Sequence, residues 1–131
     1  MDKVEILILR NLLYNEEYLR KVVPFIKADY YEDSNQRIVY EEIEKFVHEY
    51  NQPATKEVLC IEVEKRQDIN DTTFQEITKL ISYLEEVPTD FDWLCDTTEK
   101  WCRDRAIYLA LMESIALADG DSKEKDRGAI P

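Results

Sequence analysis

Residues 90–119 read DFDWLCDTTEKWCRDRAIYLALMESIALAD, with no glycine and no proline. Within them Leu94, Thr98, Trp101, Arg105, Tyr108, Met112 and Ile115 recur at alternating spacings of four and three. That period, about 3.5 residues, is the seam of a helix that pairs with another helix. The stretch predicts one helix of about 45 Å. Leu94 to Trp101 can cover a globular head, but the part from Tyr108 to Leu117 runs beyond what such a head needs. Aromatic residues together with methionine are what helix-docking surfaces use. Trp101, Tyr108, Met112 and Ile115 are therefore the expected protein-interface residues. Gly120 is expected to end the helix, residues 121–128 to form a polar loop, and Ala129-Ile130-Pro131 to stop as if the chain were cut.

Upstream, the pattern predicts five shorter helices. Residues 3–13 (KVEILILRNLL) are apolar on most sides, as in a buried helix. A second helix runs from Glu16 to about Phe25, with Asn15 as its N-cap and Leu19, Val22, Val23 and Ile26 inward. A third places Val39, Ile43, Phe46, Val47 and Tyr50 on one face and Glu41, Glu42, Glu44, Lys45 and Glu49 on the other. Asn51-Gln52-Pro53 ends it. A fourth begins near Thr55 and carries Val58, Leu59 and Val63. A fifth follows Asn70-Asp71-Thr72, buries Phe74, Ile77, Leu80, Ile81 and Leu84, and stops at Pro88. The fold class is thus all-α: a compact five-helix head over residues 1–88, a long helix over 89–119, and a loop over 120–131.

Composition agrees. The 131 residues are 44% hydrophobic and 35% charged, enough for one core under a heavily charged surface. The two glycines, Gly120 and Gly128, leave none for the turns of a β-rich domain in residues 1–119. Seventeen basic against 29 acidic residues give a formal charge of −12. Such a surface opposes the counterion release that drives non-specific nucleic-acid binding, and steers basic proteins toward it. Equally, the charge could serve solubility alone.

Chemistry-bearing motifs are missing. Without glycine before position 120, no loop can cradle a phosphate through backbone amides. His48 is the only histidine and reads as a boundary residue of the third helix. The runs Glu41-Glu42-Glu44 and Glu85-Glu86 read as solvated faces. Cys60, Cys95 and Cys102 have no framework spacing, and Cys95 and Cys102, about 10 Å apart along a helix, cannot bridge each other. These features imply no catalytic residue, no cofactor and no metal in this chain, and a reducing, cytoplasmic setting. Asp2, Lys3, Glu5 and Arg10 exclude a signal peptide or membrane span at the N-terminus.

Three segments together resemble the N-terminal domain of DnaB-type replicative helicases. In residues 28–47 the relevant positions are Asp29, Tyr30, Tyr31, Gln36, Arg37, Ile38, Val39 and Tyr40, with Ile43 continuing the core. Residues 51–59 (NQPATKEVL) are similar to that family's short turn and following helix. Residues 87–115 are similar to its long helix, at Pro88, Thr89, Arg103, Arg105 and Ala106. The order of segments and the terminal run Gly128 to Pro131 resemble the helicases of T-even-like bacteriophages. Asn51-Gln52 departs from the glycine favoured by bacterial members, and residues 53–58 (PATKEV) lack their acidic helix start.

The resemblance implies a collar domain on a hexameric ring that encircles single-stranded DNA and moves 5′ to 3′. It implies that neighbouring subunits, primase and a helicase loader are the partners, with single-stranded DNA reached only through the assembled ring. ATP and Mg would belong to a separate C-terminal motor domain. The long helix would be the first arm of a helical hairpin, its second arm following residue 131. The alternative is a stand-alone acidic helical adaptor or inhibitor of a host protein.

Overall fold

The computed structural model describes residues 3–128, with side chains through residue 119. Its helices are α1 (Lys3–Tyr14), α2 (Glu16–Val22), α3 (Ser34–Tyr50), α4 (Lys56–Glu64), α5 (Asp71–Ser82) and α6 (Phe91–Gly128). Two single 3-10 turns, Val23–Phe25 and Ala28–Tyr30, lie between α2 and α3. The described residues contain no strand, as an all-α fold requires.

Short polar side chains cap the starts of α2, α3, α4 and α5. Asn15 Oδ1 accepts from the Tyr18 amide at 3.0 Å, Thr55 Oγ1 from Val58 at 3.2 Å, and Asn70 Oδ1 from Thr73 at 2.8 Å. Asp33 accepts from the amides of Asn35 and Gln36 at 2.8 and 3.1 Å. Each cap satisfies amides that have no partner inside the helix, and each typically contributes about 1 kcal/mol. At the end of α3, Asn51 takes a left-handed conformation, φ 54° and ψ 37°. Asparagine tolerates that region better than most residues. Arg20 holds it there, donating to the Asn51 side-chain and backbone oxygens at 2.9 and 3.0 Å.

The core is one cluster. Ile8, Leu9 and Leu12 of α1 meet Tyr18 and Leu19 of α2, Val39, Tyr40 and Ile43 of α3, Leu59 and Val63 of α4, and Ile77 and Ile81 of α5. Leu94 and Trp101 of α6 complete it. The first part of α6 thus belongs to the head, and the head is not confined to residues 1–88.

Several expectations need correction. Helix α5 stops at Ser82, six residues before Pro88. Proline does not mark the end: just past Ser82 the carbonyls of Tyr83 and Leu84 are taken by α1, Arg10 donating to Tyr83 at 3.2 Å and Tyr14 to Leu84 at 2.7 Å. Glu42 is buried rather than solvated, because Arg66, after α4, reaches it at 3.7 Å while also pairing with Glu41 and Asp68. Tyr50 is exposed, its ring resting on Phe46 at a centroid distance of 4.8 Å. Helix α2 gives way to a 3-10 turn at Val23, next to Pro24, which has no amide hydrogen to donate.

The backbone of α6 continues through Gly120 to Gly128, where a polar loop was expected. A lone glycine lowers helix stability by about 1 kcal/mol relative to alanine and does not forbid the helix. Residues 129–131 of the expected loop lie outside the described residues. Among the described residues no helix is long and apolar enough to cross a membrane.

Candidate protein-docking surfaces

Helix α6 is held on the head by polar contacts as well as apolar ones. Thr98, buried, shares a 2.6 Å hydrogen bond with the Tyr18 hydroxyl and donates to the Leu94 carbonyl at 2.7 Å. The Trp101 indole N–H points to the buried Glu5 carboxylate at 3.4 Å. Its ring packs on Tyr31 at 4.9 Å and edge-on to Tyr30 at 5.9 Å between centroids. Arg105 is the last anchor: it donates to the Tyr30 carbonyl and pairs with Glu32 at 3.2 Å. Burial pushes the Tyr18, Tyr31 and Tyr40 hydroxyls well above the ordinary tyrosine range, and the Cys102 thiol up to about 11. No thiolate nucleophile is prepared here.

Beyond Arg105 the environment changes within one turn. Tyr108 lies under the Arg105 guanidinium, 4.9 Å from its ring centroid, and is 45% exposed. Met112 is 43% and Ile115 53% exposed. Ile107, Leu111 and Leu117 are exposed as well, and only Leu109 still touches the core cluster. At 3.6 residues per turn, Ile107, Tyr108, Leu111, Met112 and Ile115 share an arc of about 140°. From Ala106 to Ala118 only Glu113 and Ser114 interrupt the apolar run. A helix that is apolar nearly all round is normally covered.

Of the four expected interface residues, the structure brings Tyr108, Met112 and Ile115 together on this bare stretch. Trp101 is not among them. It is only 7% exposed, and the aromatic side chains before α3 receive it inside the head. Its seam position gave the direction it faces, but nothing local could show that Glu5, Tyr30 and Tyr31 wait on that side. Ile107 and Leu111, which the spacing did not single out, are exposed on the same stretch.

A second surface was not foreseen. A groove of about 770 Å³ lies between α1, the start of α3 and the end of α5. Ile6, Leu7 and Leu80 supply apolar walls, while Lys3, Arg10, Lys79, Asp33 and Glu76 line it with charge. Asn35 ties Glu76 to α3 at 3.1 Å. Gln36 also lines the groove, is 1% exposed, and has no hydrogen-bond partner at either amide atom, Oε1 or Nε2. An unmet buried polar group costs about 1–3 kcal/mol. The sequence signal was faint: Gln36 sits where burial follows from the α3 face, three residues before Val39.

His48 is exposed near the end of α3 and has no part in either surface. Among the described residues no group of three histidine, cysteine or acidic side chains is placed to hold a metal. Cys60, Cys95 and Cys102 are free thiols.

No family model matches the chain. Over 95% of its length, however, the chain is 28% identical to a DnaB-like replicative helicase of Enterobacteria phage T4. The resemblance drawn from the sequence is borne out. The chain spans 28% of the length of that phage helicase, as a match to one domain of a longer protein does.

Proposed function

We propose that this chain is the N-terminal collar domain of a hexameric replicative DNA helicase, serving ring assembly and the docking of primase or a loader. What carries the reading is the apolar, exposed stretch of α6 at the end of a chain similar along nearly its whole length to part of a replicative helicase. In this reading α6 is the first arm of a helical hairpin. A second arm and a neighbouring subunit cover Ile107, Tyr108, Leu111, Met112 and Ile115. Arg105 and Trp101 fix the direction in which the arm leaves the head. DNA unwinding, ATP and Mg belong to the longer protein's motor domain, and single-stranded DNA is reached only inside the assembled ring.

The test is made in the full-length protein. Met112→Ser with Ile115→Ser places two hydroxyls on the arm without touching the head core. Mass photometry of the variant should show hexamers replaced by smaller species at concentrations where the unaltered ring persists. ATP hydrolysis and strand separation, which depend on subunit contacts, should fall with ring assembly. Intact hexamers with normal unwinding would remove this stretch of α6 from the ring interface, and an unaltered protein with neither hexamers nor unwinding would favour a stand-alone adaptor.

A further inference from the structure

The four aromatic rings of α6 do not share one fate. Trp101 packs on Tyr31 inside the head, Phe91 lies under the Lys21 ammonium at 5.4 Å, and Tyr108 lies under the Arg105 guanidinium at 4.9 Å. The Trp93 side chain has no ring, cation or hydrogen-bond partner among the described residues, and it is 51% exposed. It stands one residue before the buried Leu94, so the helix turns it about 100° away from the head. Asp90 and Asp96, three residues to either side on the same face, are both exposed. Of all side chains, the face of an indole attracts a cation most strongly.

The charge around Trp93 has one sign. Residues 80–99 carry six carboxylates and no basic side chain. Local needs account for three of them: Asp90 caps α6 by accepting from the Trp93 amide at 2.9 Å, Asp92 lies in the first turn, where the helix end is positive, and Glu85 pairs with Lys56. Glu86, Asp96 and Glu99 lie outside that turn and form no ion pair among the described residues. Two cations border the face, Lys21 on the Phe91 ring and Lys100 four residues past Asp96, and they leave the acid in excess. We propose that this outer face at the start of α6 docks a basic segment of a partner protein, with an arginine stacked on Trp93 between Asp90 and Asp96. A planar guanidinium covers an indole and still directs N–H donors sideways to carboxylates. A phosphate backbone would be repelled by those same carboxylates. Trp93 lies twelve residues before Arg105, so the inference does not depend on how the far half of α6 is covered.

In ¹⁵N-labelled protein the two indole N–H signals report separately, Trp93 from the surface and Trp101 from the core. A blocked synthetic peptide alternating arginine with serine should shift the Trp93 signal and leave that of Trp101 in place. A peptide with glutamate in place of arginine should shift neither. Trp93→Ala should weaken binding of the arginine peptide, measured by calorimetry, by about fivefold or more. Asp90→Asn with Asp96→Asn keeps a capping side chain at position 90 and should also weaken binding about fivefold. Removing the same charge elsewhere, by Glu49→Gln with Glu57→Gln at exposed positions of α3 and α4, should change it by less than about twofold. The inference is overturned if millimolar arginine peptide leaves the Trp93 signal unmoved, or if Trp93→Ala binds as well as the unaltered protein. It is equally overturned if the α3 and α4 changes weaken binding as much as those beside Trp93, since the attraction would then belong to the whole acidic surface. A single-stranded oligonucleotide that shifts the Trp93 signal in place of the peptide would overturn it too, and so would shifts that track protein concentration without peptide, which assign the face to a second copy of the chain.

Discussion

From Leu94 to Arg105 and again from Tyr108 to Ile115, helix α6 keeps one spacing and meets two environments. In the first half the seam residues reach Tyr18, Glu5, Tyr30 and Tyr31, and each position is buried or nearly so. In the second half the same rhythm continues over residues that face water. Hydrophobic period records which side chains share a face, and only long-range topology decides what stands opposite. The exposed half is therefore not a weak version of the buried half. It carries the same spacing of apolar side chains, left uncovered by the described residues.

The two halves should separate most sharply under truncation. Trp101→Ala empties a site shared by α1, α6 and the turn before α3, and should destabilise the head by about 3–5 kcal/mol in chemical denaturation. A loss below about 1 kcal/mol would mean that the near half is not part of the core.

High pH should act on the near half next. Tyr18, Tyr31, Tyr40 and Cys102 lose protons less readily when folded, because burial disfavours their charged forms. The unfolded chain then binds fewer protons than the folded one above its ordinary thiol and tyrosine values, so stability present at neutral pH falls as pH rises. Each such group steepens the fall by up to about 1.4 kcal/mol per pH unit. Melting temperature should be flat to about pH 8 and drop steeply above pH 10, with tyrosinate absorbance from these three residues appearing only on unfolding. Ionisation of all eight tyrosines in the folded protein would contradict this packing.

A smaller effect of opposite sign is expected at Tyr31. Its hydroxyl is buried and without a partner. Tyr31→Phe removes the unmet group and keeps the ring on Trp101, so the head should gain about 1 kcal/mol. Destabilisation instead would reveal a partner for that hydroxyl. The smallest effect belongs to the far half. Met112→Ser with Ile115→Ser should change head stability by no more than about 0.5 kcal/mol, measured by urea unfolding of the 131-residue chain. A larger loss would fold the far half back into the head and erase the contrast.

Much of this was legible because it is local. Asn15, Thr55 and Asn70 mark helix starts through hydrogen bonds reaching three residues: Asn15 caps as expected, Asn70 is the capping member of its cluster, and Thr55 caps the helix expected to begin near it. The resemblance was legible for a different reason, since it rests on the order of several weak motifs and not on one. What failed to show was decided by contacts distant in sequence. Arg66 buries Glu42 from 24 positions away, and Arg10 and Tyr14 end α5 from about 70. The groove needs residues near positions 3–10, 33–36 and 76–83 to converge, and no window on the chain contains them all. Trp101 was misplaced because an indole on a docking helix and an indole in a core carry the same periodicity.

The anchor at Arg105 also makes α6 a lever. About 18 Å of helix separate Arg105 from Leu117, and a tilt of about 10° at the anchor would carry Leu117 through roughly 3 Å, more than half the rise of a helical turn. A displacement of that size can move a knob from one hole toward the next on an opposing helix. The two oxygens that hold the guanidinium, on Tyr30 and Glu32, therefore set a tolerance far from where they sit. A substitution such as Glu32→Gln, remote from every exposed apolar residue of the arm, would be felt as misregistry at its far end.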